Sequence, residues 1–293
     1  MIDFRLITFI DLCETKNYTK TAKNLSITQP AVSQHIRYLE EKYNLKLFDY
    51  ISKKLSLTQE GIDFLNNVQK LQTMSINIEH HLKDSNSRYK SLVFGATRTI
   101  GEYYIPPYIK KYISLYPKNN ISMIVNNTKF LLENLNKGNI EFAIIEGHFN
   151  KAEYETHLIS KERLVVVASP QNKLASKNNI SFDELFSETL IVREKGSGSR
   201  EIFEMFLYEN NFTYKNFEHV IEIGNIGIIK DIVKSNLGIS IMYEMAAQTE
   251  ITNNELAVLD INNMSIFHEY NFIFLNDSIF KSNYIDFYNF LRD

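Results

Sequence analysis

"TQPAVSQHIRYLEEKYNLKLF" (residues 28–48) sets a hydroxyl, an amide and a proline at the head of an apolar stripe, with a second amide and an arginine one turn further on. Thr28 carries the hydroxyl of a helix N-cap, and Pro30 suits a first turn because no backbone donor is lost there. Val32, Ile36 and Leu39 recur at the spacing of one helical face and supply an inward stripe. Gln29, Ser33, Gln34 and Arg37 are left on the outer face of the first half of the helix, where side chains exchange hydrogen bonds with base edges and phosphates. Any solvated helix also presents an outward polar face. The neighbouring segments therefore decide between the two readings.

Upstream, Leu6, Phe9, Ile10 and Cys13 in "FRLITFIDLCET" keep helical spacing. "TKTAKNL" opens on a hydroxyl suited to capping a second, short helix with Ala22 and Leu25 on one side. "SIT" breaks the pattern before Thr28, and two short helices joined by a tight turn make a helix-turn-helix. Downstream, "LKLFDYISKKLSLTQEG" reads as strand, basic tip and strand around Ser52, Lys53 and Lys54, a wing that adds phosphate contacts. From Gln59 to about Asp84, the residues Ile62, Leu65, Val68, Ile76 and Leu82 keep an apolar helical rhythm without proline. That stripe has no obvious partner in so small a head, which makes the helix a candidate dimer seam. His80 and His81 lie on it, but adjacent helical positions point roughly 100° apart and do not readily share a metal. Both are expected at the surface, and no metal site is expected anywhere in the chain.

The run "TKTAKNLSITQPAVSQHIRYLEEKYNLKLF" followed by "LTQEG" resembles the winged helix-turn-helix of LysR-type transcriptional regulators. The resemblance implies a DNA-binding domain over residues 1–58 that contacts a promoter operator through Thr28, Gln29, Pro30, Ser33, Gln34, Arg37, Lys53 and Lys54. It implies a linker helix over 59–88 that pairs antiparallel with a partner's in a homodimer or tetramer, and an effector-binding module over 89–293. One departure stands out: Tyr50 occupies the place, two residues after "LF", where the family usually has arginine.

Composition agrees with this division. A 293-residue chain that is 44% apolar has ample material for buried cores in two or three domains. The net charge of -3 hides a difference between its parts: residues 1–90 carry thirteen basic against ten acidic side chains, whereas the remainder carries nineteen against twenty-five. The positive end is the one expected to meet an anionic partner. Cys13 is the single cysteine, so no disulfide or cysteine cluster forms within one chain, and its place in an apolar helical pattern suggests buried packing. The amino terminus is interrupted by Asp3, Arg5 and Asp11 and lacks the apolar run of a signal peptide. No run has the length of a membrane span, and a cytoplasmic protein is expected.

Beyond residue 90, "SLVFGATRTIGEYYIPPYIKKYISLYP" reads as strand, polar turn and helix, and "ISMIVNNTKFLLENLNKGNIEFAIIEG" as strand, capped helix and strand. "RLVVVAS", "TLIVRE", "HVIEIG" and "GISIMYE" supply further strands, separated by helical stretches. Such alternation predicts an α/β domain with a largely parallel sheet. Ligands in open α/β sheets collect at the carboxyl ends of strands, beside helix N-termini whose free amides favour anions. Thr97, Arg98 and Thr99, then Asn127 and Thr128, then Ser197 and Ser199 all sit at such junctions. Each also has a purely structural reading as a helix cap. Arg98 is open to pairing with an anion or to solvent, and Glu146 to a role as cleft acceptor or cap partner.

These positions resemble the family's effector domain, a periplasmic-binding-protein-like pair of α/β subdomains with a small-molecule cleft between them. The resemblance carries Thr97, Thr99, Thr128 and Ser199 into the cleft and implies subdomain I over about 89–161 and 266–293 and subdomain II over about 162–265. "ATRTIGEYYIPP", "IIEG" and "GSGSRE" look most like members that govern sulfur or inorganic-carbon assimilation. "SNLGIS" departs from relatives by placing Asn236 where glycine is frequent. The expected ligand is a small anionic metabolite, with no cofactor. Enzyme signatures are missing: there is no GxSxG, HExxH or phosphate loop, and no base is nominated beside Ser197. The reading is a ligand-responsive, DNA-binding regulator rather than an enzyme. A solute-binding receptor whose N-terminal domain serves only assembly is the alternative.

Overall fold

A computed structural model describes residues 2–51, 54–85 and 91–292, without the side chains of 51 and 83–85. The chain divides into two compact units, residues 1–90 with 136–139, and residues 91–135 with 140–293.

In the first unit, α1 (Phe4–Thr15), α2 (Tyr18–Asn24) and α3 (Gln29–Tyr43) enclose a core of Phe9, Leu12, Val32, Ile36, Leu39 and Leu47. Each helix begins on a side-chain acceptor. Thr28 Oγ1 accepts from the Ala31 amide at 3.3 Å, as its position predicts. The cap of α2, however, is Asn17, whose Oδ1 accepts from the Lys20 amide at 2.9 Å, and the expected hydroxyl of Thr19 falls inside the helix. Asn17 takes the extended backbone that points a short acceptor at the third helical amide. Cys13 is buried in this core, and burial pushes its thiol up to about 12, so it packs as a small apolar group.

Strands β1 (Phe48–Ile51) and β2 (Lys54–Leu57) pair antiparallel and form the wing. Ser52 and Lys53, expected at its tip, lie outside the described residues. Helix α4 (Gln59–Ser85) follows, 27 residues long and so about 40 Å in length. Thr58 caps it by accepting from the Gly61 amide at 2.9 Å. A Cβ on Gly61 would lie 2.2 Å from the Leu47 carbonyl oxygen, so "LTQEG" ends on the residue that lets α4 cross the head at backbone distance. The expectation that the α4 stripe lacks a partner in the head is corrected: Leu65 packs, beside Phe64, against the head core, and Val68 is buried. Ile62 and Leu71 are the exposed members of the first half of α4. His80 and His81 are half-buried rather than at the surface.

The second unit runs β3 (Ser91–Thr97), a π-helix (Ile100–Tyr104), α5 (Pro106–Leu115), β4 (Asn120–Asn126), α6 (Thr128–Asn136), β5 (Phe142–Ile145) and β6 (Tyr154–Ala168). It continues through α7 (Phe182–Phe186), β7 (Thr189–Val192), α8 (Gly198–Glu209), β8 (His219–Glu222), α9 (Ile226–Lys234), β9 (Ile239–Tyr243), α10 (Glu244–Thr252), β10 (Ala257–Val258), β11 (Ile266–Leu275) and α11 (Lys281–Phe290). The strand order is β4-β3-β5-β11-β6-β9-β7-β8, with β10 on β6. β3 pairs parallel with β4 and β5, and β7 pairs parallel with β8 and β9. Between these two parallel half-sheets run β6 and β11, antiparallel to one another from Tyr154↔Leu275 to Leu164↔Ile266.

The two straps are what the sequence reading of a largely parallel sheet misses. Apart from Tyr154 at its start, only the last five residues of β6, Leu164–Ala168, are buried, and only they show the apolar run that marks a strand; the stretch between does not. Phe94, Phe142 and Phe272 stack through the first half-sheet, at 5.1 and 4.7 Å between ring centroids, with Phe287 and Tyr284 of α11 against them. Asn236 adopts φ 58°, the left-handed conformation that asparagine tolerates in place of glycine. No helix among the described residues is long and apolar enough to cross a membrane.

Candidate functional site

On the head, α3 turns Gln29, Pro30, Gln34 and Arg37 outward, exposed, with Ser33 half-buried among them. Gln29 Nε2 donates to Ser33 Oγ at 3.1 Å, and Arg37 Nε donates to Glu41 Oε1 at 2.7 Å. The Arg37 and Glu41 side chains are 80% and 63% exposed. Solvent screens an ion pair that exposed, so it leaves Arg37 available to a phosphate. A groove alongside continues the polar face through Asp3, Arg5, Tyr38 and Glu41, with the Arg5 guanidinium 3.8 Å from the Tyr38 ring centroid. Arg5 and Tyr38 were not candidates from sequence, because α1 and the second half of α3 meet only in the fold. Lys54 is exposed at the start of β2, and Tyr50 is 70% exposed on β1.

In the second unit, six of the seven candidates are buried: Thr97, Thr99, Thr128, Glu146, Ser197 and Ser199. Thr99 and Ser199, a hundred residues apart and following β3 and β7 respectively, line one small cavity. Arg193, Ser240 and Tyr243 complete its polar wall, and Ile226, Ile229, Ile241 and Met242 its apolar wall. The space left is that of about one water molecule. Ser197 precedes α8 without capping it through its side chain, and its Oγ lies 3.2 Å from Ser199 Oγ. The first turn of α8, whose leading amides have no partner within the helix, thus begins at the cavity wall.

The other candidates surround this cavity in different capacities. Thr128 Oγ1 donates to the Glu146 carbonyl at 2.7 Å, and α6 is capped by Asn127 Oδ1 accepting from Phe130 at 2.9 Å, so both serve the backbone. Thr97 is buried at the end of β3, and its hydroxyl has no hydrogen-bond partner among the described residues. Arg98 is partly exposed, its side chain 37% accessible, and it is paired at the same time. Its Nη1 donates to Glu194 Oε1 at 2.8 Å and to the Gly224 carbonyl at 2.9 Å, joining the first half-sheet to the second.

Glu146 directly follows β5. Its carbonyl accepts from Thr128, while its carboxyl is buried, with Oε2 unpartnered among the described residues. Burial pushes the carboxyl up to about 7, against a Thr99 hydrogen bond, the Arg193 charge and the Tyr243 hydroxyl, all of which favour the ionised form. The Tyr243 hydroxyl exerts this influence while itself lying outside good hydrogen-bonding geometry. Glu194 behaves differently. Burial works against its charge, but Arg193 and Arg98 hold it below the usual carboxylate range. Arg193 reaches it through Nε at 2.8 Å and Nη2 at 3.1 Å.

Arg193, Glu194 and Tyr243 are site residues that the sequence reading passed over. The signal was present, since "TLIVRE" and "GISIMYE" end two strands, and the carboxyl-end rule applied to them selects these side chains.

Residues 5–62 match the model of the bacterial regulatory helix-turn-helix protein of the lysR family, and residues 86–293 match that of the LysR substrate binding domain. Among curated relatives, the HTH-type transcriptional regulator CysL of Bacillus subtilis is 30% identical over 272 residues, covering 92% of this chain and 89% of its own. Among solved structures, a full-length OxyR variant from Pseudomonas aeruginosa superposes with a TM-score of 0.64 at 19% identity, covering 100% of this chain and 95% of its own. The Synechocystis CcmR regulatory domain, solved in complex with 2-PG, gives a TM-score of 0.60 at 24% identity, covering 68% of this chain and 95% of its own. With a winged helix-turn-helix in one unit, an α/β module in the other and both modules matched, the chain belongs to the LysR family of DNA-binding transcriptional regulators.

Proposed function

We propose that this regulator senses a small anionic metabolite in the cleft between its two half-sheets and answers it on operator DNA as a homodimer or tetramer. The observation that carries the ligand reading is that Thr99 and Ser199 meet on one cavity with Arg193, beside the N-terminus of α8. Hydroxyls, a guanidinium and helical amides are the donor set of an oxyanion site. In this reading Thr97, Thr99, Ser197 and Ser199 contact the ligand, Thr128 and Glu146 shape its wall, and Arg98 acts as a clasp whose partner Glu194 the ligand competes with. The subdomains divide at about residues 161–162 and 265–266, where β6 and β11 pass from one half-sheet to the other. The likeness of the cleft segments to regulators of sulfur and inorganic-carbon assimilation belongs to the same proposal.

For DNA, residues 1–58 form the binding head, with Gln29, Ser33, Gln34 and Arg37 on bases or nearby phosphates, Thr28 and Pro30 placing the helix start, and Lys53 and Lys54 on the flanking backbone. Residues 59–88 link the head to the effector module at 89–293 and pair with a partner's helix. A thermal-shift screen of small anions on the full-length protein tests the ligand reading. A bound anion raises stability by about 2.7 kcal/mol at a hundredfold excess over its Kd. Thr99→Val and Ser199→Ala abolish that rise. Variants that melt lower yet keep the full rise show the two residues to be caps alone.

A further inference from the structure

The cleft holds a carboxyl that an anion-binding role does not explain. Glu146 is 3% exposed and its Oε2 is unpartnered among the described residues; it is not itself part of the cavity lining but lies directly behind lining residues. Thr99 donates to it, Arg193 and Tyr243 lie beside it, and a Cβ on Gly198, next to Ser199, would sit 2.9 Å from its Cγ. The positive charge nearby is already partly matched, because Arg193 and Arg98 share the single carboxylate of Glu194. The two guanidiniums and Glu194 leave one net positive charge. With Glu146 ionised the cluster is neutral and offers an anion no net attraction; with Glu146 protonated it keeps its charge and gains an O–H donor.

Resting on the reading of this cleft as the effector site, we infer that it selects a small oxyanion that still carries a proton, and that Glu146 is the residue making the selection. Such a ligand donates its own proton to ionised Glu146 while its other oxygens face Arg193, Thr99, Ser199 and the start of α8. An oxyanion without a proton brings acceptors only. It meets a second acceptor at Glu146 unless that carboxyl is itself protonated.

The groups facing Glu146 set where the change falls. These are Arg193 just after β7, Tyr243 on β9 and Thr99 after β3, with Tyr270 on β11 close enough to feel its charge. The outlying carboxylates are Glu194, Glu162 on β6, which acts on Tyr243 and Tyr270, and Glu201 on α8 near Gly147. Burial holds Glu146 at about 7, above an ordinary carboxyl, so it is neutral below that pH and ionised above it. Binding of a proton-free anion therefore requires proton uptake above about pH 7, and its affinity falls about tenfold per pH unit there. An anion with its own proton escapes this loss.

Inorganic sulfate and inorganic phosphate are the probes, being similar in shape but different in carrying a proton between pH 6 and 8.5. Affinities are measured calorimetrically on the full-length protein. Sulfate is expected to weaken about tenfold per unit above pH 7 while phosphate keeps its affinity within about threefold. Glu146→Gln, which supplies a neutral donor at every pH, is expected to flatten the sulfate profile and tighten sulfate at pH 8 by about tenfold. Glu146→Asp retains the charge and is expected to retain the pH dependence, which separates charge from damage to the fold. Identical pH profiles for the two anions, unaffected by Glu146→Gln, overturn the inference, as does failure of both anions to bind either protein. If both anions bind but Thr99→Val and Ser199→Ala leave that binding unchanged, the reading of the cleft falls first. If those variants lose binding and Glu146→Gln alters nothing, only the selection by Glu146 falls.

Discussion

Gly198→Ala tests whether the two half-sheets close on one another at Glu146. Gly198 is the first residue of α8, and its φ is not positive, so alanine suits its backbone and the effect is steric. The added Cβ would lie 2.9 Å from Glu146 Cγ and 3.4 Å from the Glu146 carbonyl carbon and oxygen. Carbon atoms rest at about 3.5–4.0 Å, so the halves must separate there by roughly half an ångström. Glu146 cannot easily yield, being 3% exposed and tied to Thr128 through its carbonyl at 2.7 Å. Overpacking of this kind costs about 1–3 kcal/mol. Replacing glycine in a helix returns at most about 1 kcal/mol, and less at its first position. The net loss of about 1–2 kcal/mol in a unit of this size lowers Tm by about 2–8 °C. Circular-dichroism melts of the full-length protein measure it. Gly196→Ala is the contrasting control: its Cβ meets only Asn127 Nδ2 at 4.0 Å, and its cost comes from a φ of +85° alone. A Gly198→Ala protein that melts at or above the wild-type temperature refutes the closed contact.

Three further outcomes are expected. Gln34→Ala relaxes operator preference by about 1–3 kcal/mol at one base pair if its contact is bidentate, whereas Lys54→Ala weakens specific and random duplexes alike and lowers the salt slope by nearly one ion; equal, sequence-blind losses from both in fluorescence titrations mean the reading face is misassigned. Ile62→Glu with Leu71→Glu, exposed on α4, converts oligomers to smaller species in sedimentation, while Leu65→Glu, packed on the head core, lowers head stability instead; oligomers that persist at low micromolar protein place the seam elsewhere. Asn236→Gly changes stability little, but Asn236→Val, a β-branched residue forced to φ 58°, lowers it by at least about 1 kcal/mol in urea titrations; a neutral valine excludes the left-handed turn.

Local patterns were legible where physics acts locally. Helix caps, apolar periodicity and the turn before Thr28 all operate within a few residues, so α1 to α4 and the wing follow from the sequence, with the Asn17 cap as the exception. The βα alternation likewise announced the α/β module and the strand ends at which ligand residues collect. Charge partners were not legible. Nothing in "ATRTIG" says that Arg98 meets Glu194, 96 positions away, or in "IVREK" that Arg193 lines the wall opposite Thr99. Leu65 likewise appeared unpartnered until α4 crossed the head over Gly61.

The sequence by itself determined the reading helix, the wing and the kind of module that follows, because hydrogen-bond capping and hydrophobic period are set by neighbours along the chain. Only the tertiary structure decided which polar residues share a cavity, that β6 and β11 join the two half-sheets, and that Glu146 ends up buried, its carboxyl pushed up to about 7. Burial and Coulomb interaction depend on distance in space, and the chain brings residues 99, 146, 193 and 199 together only when both half-sheets have formed.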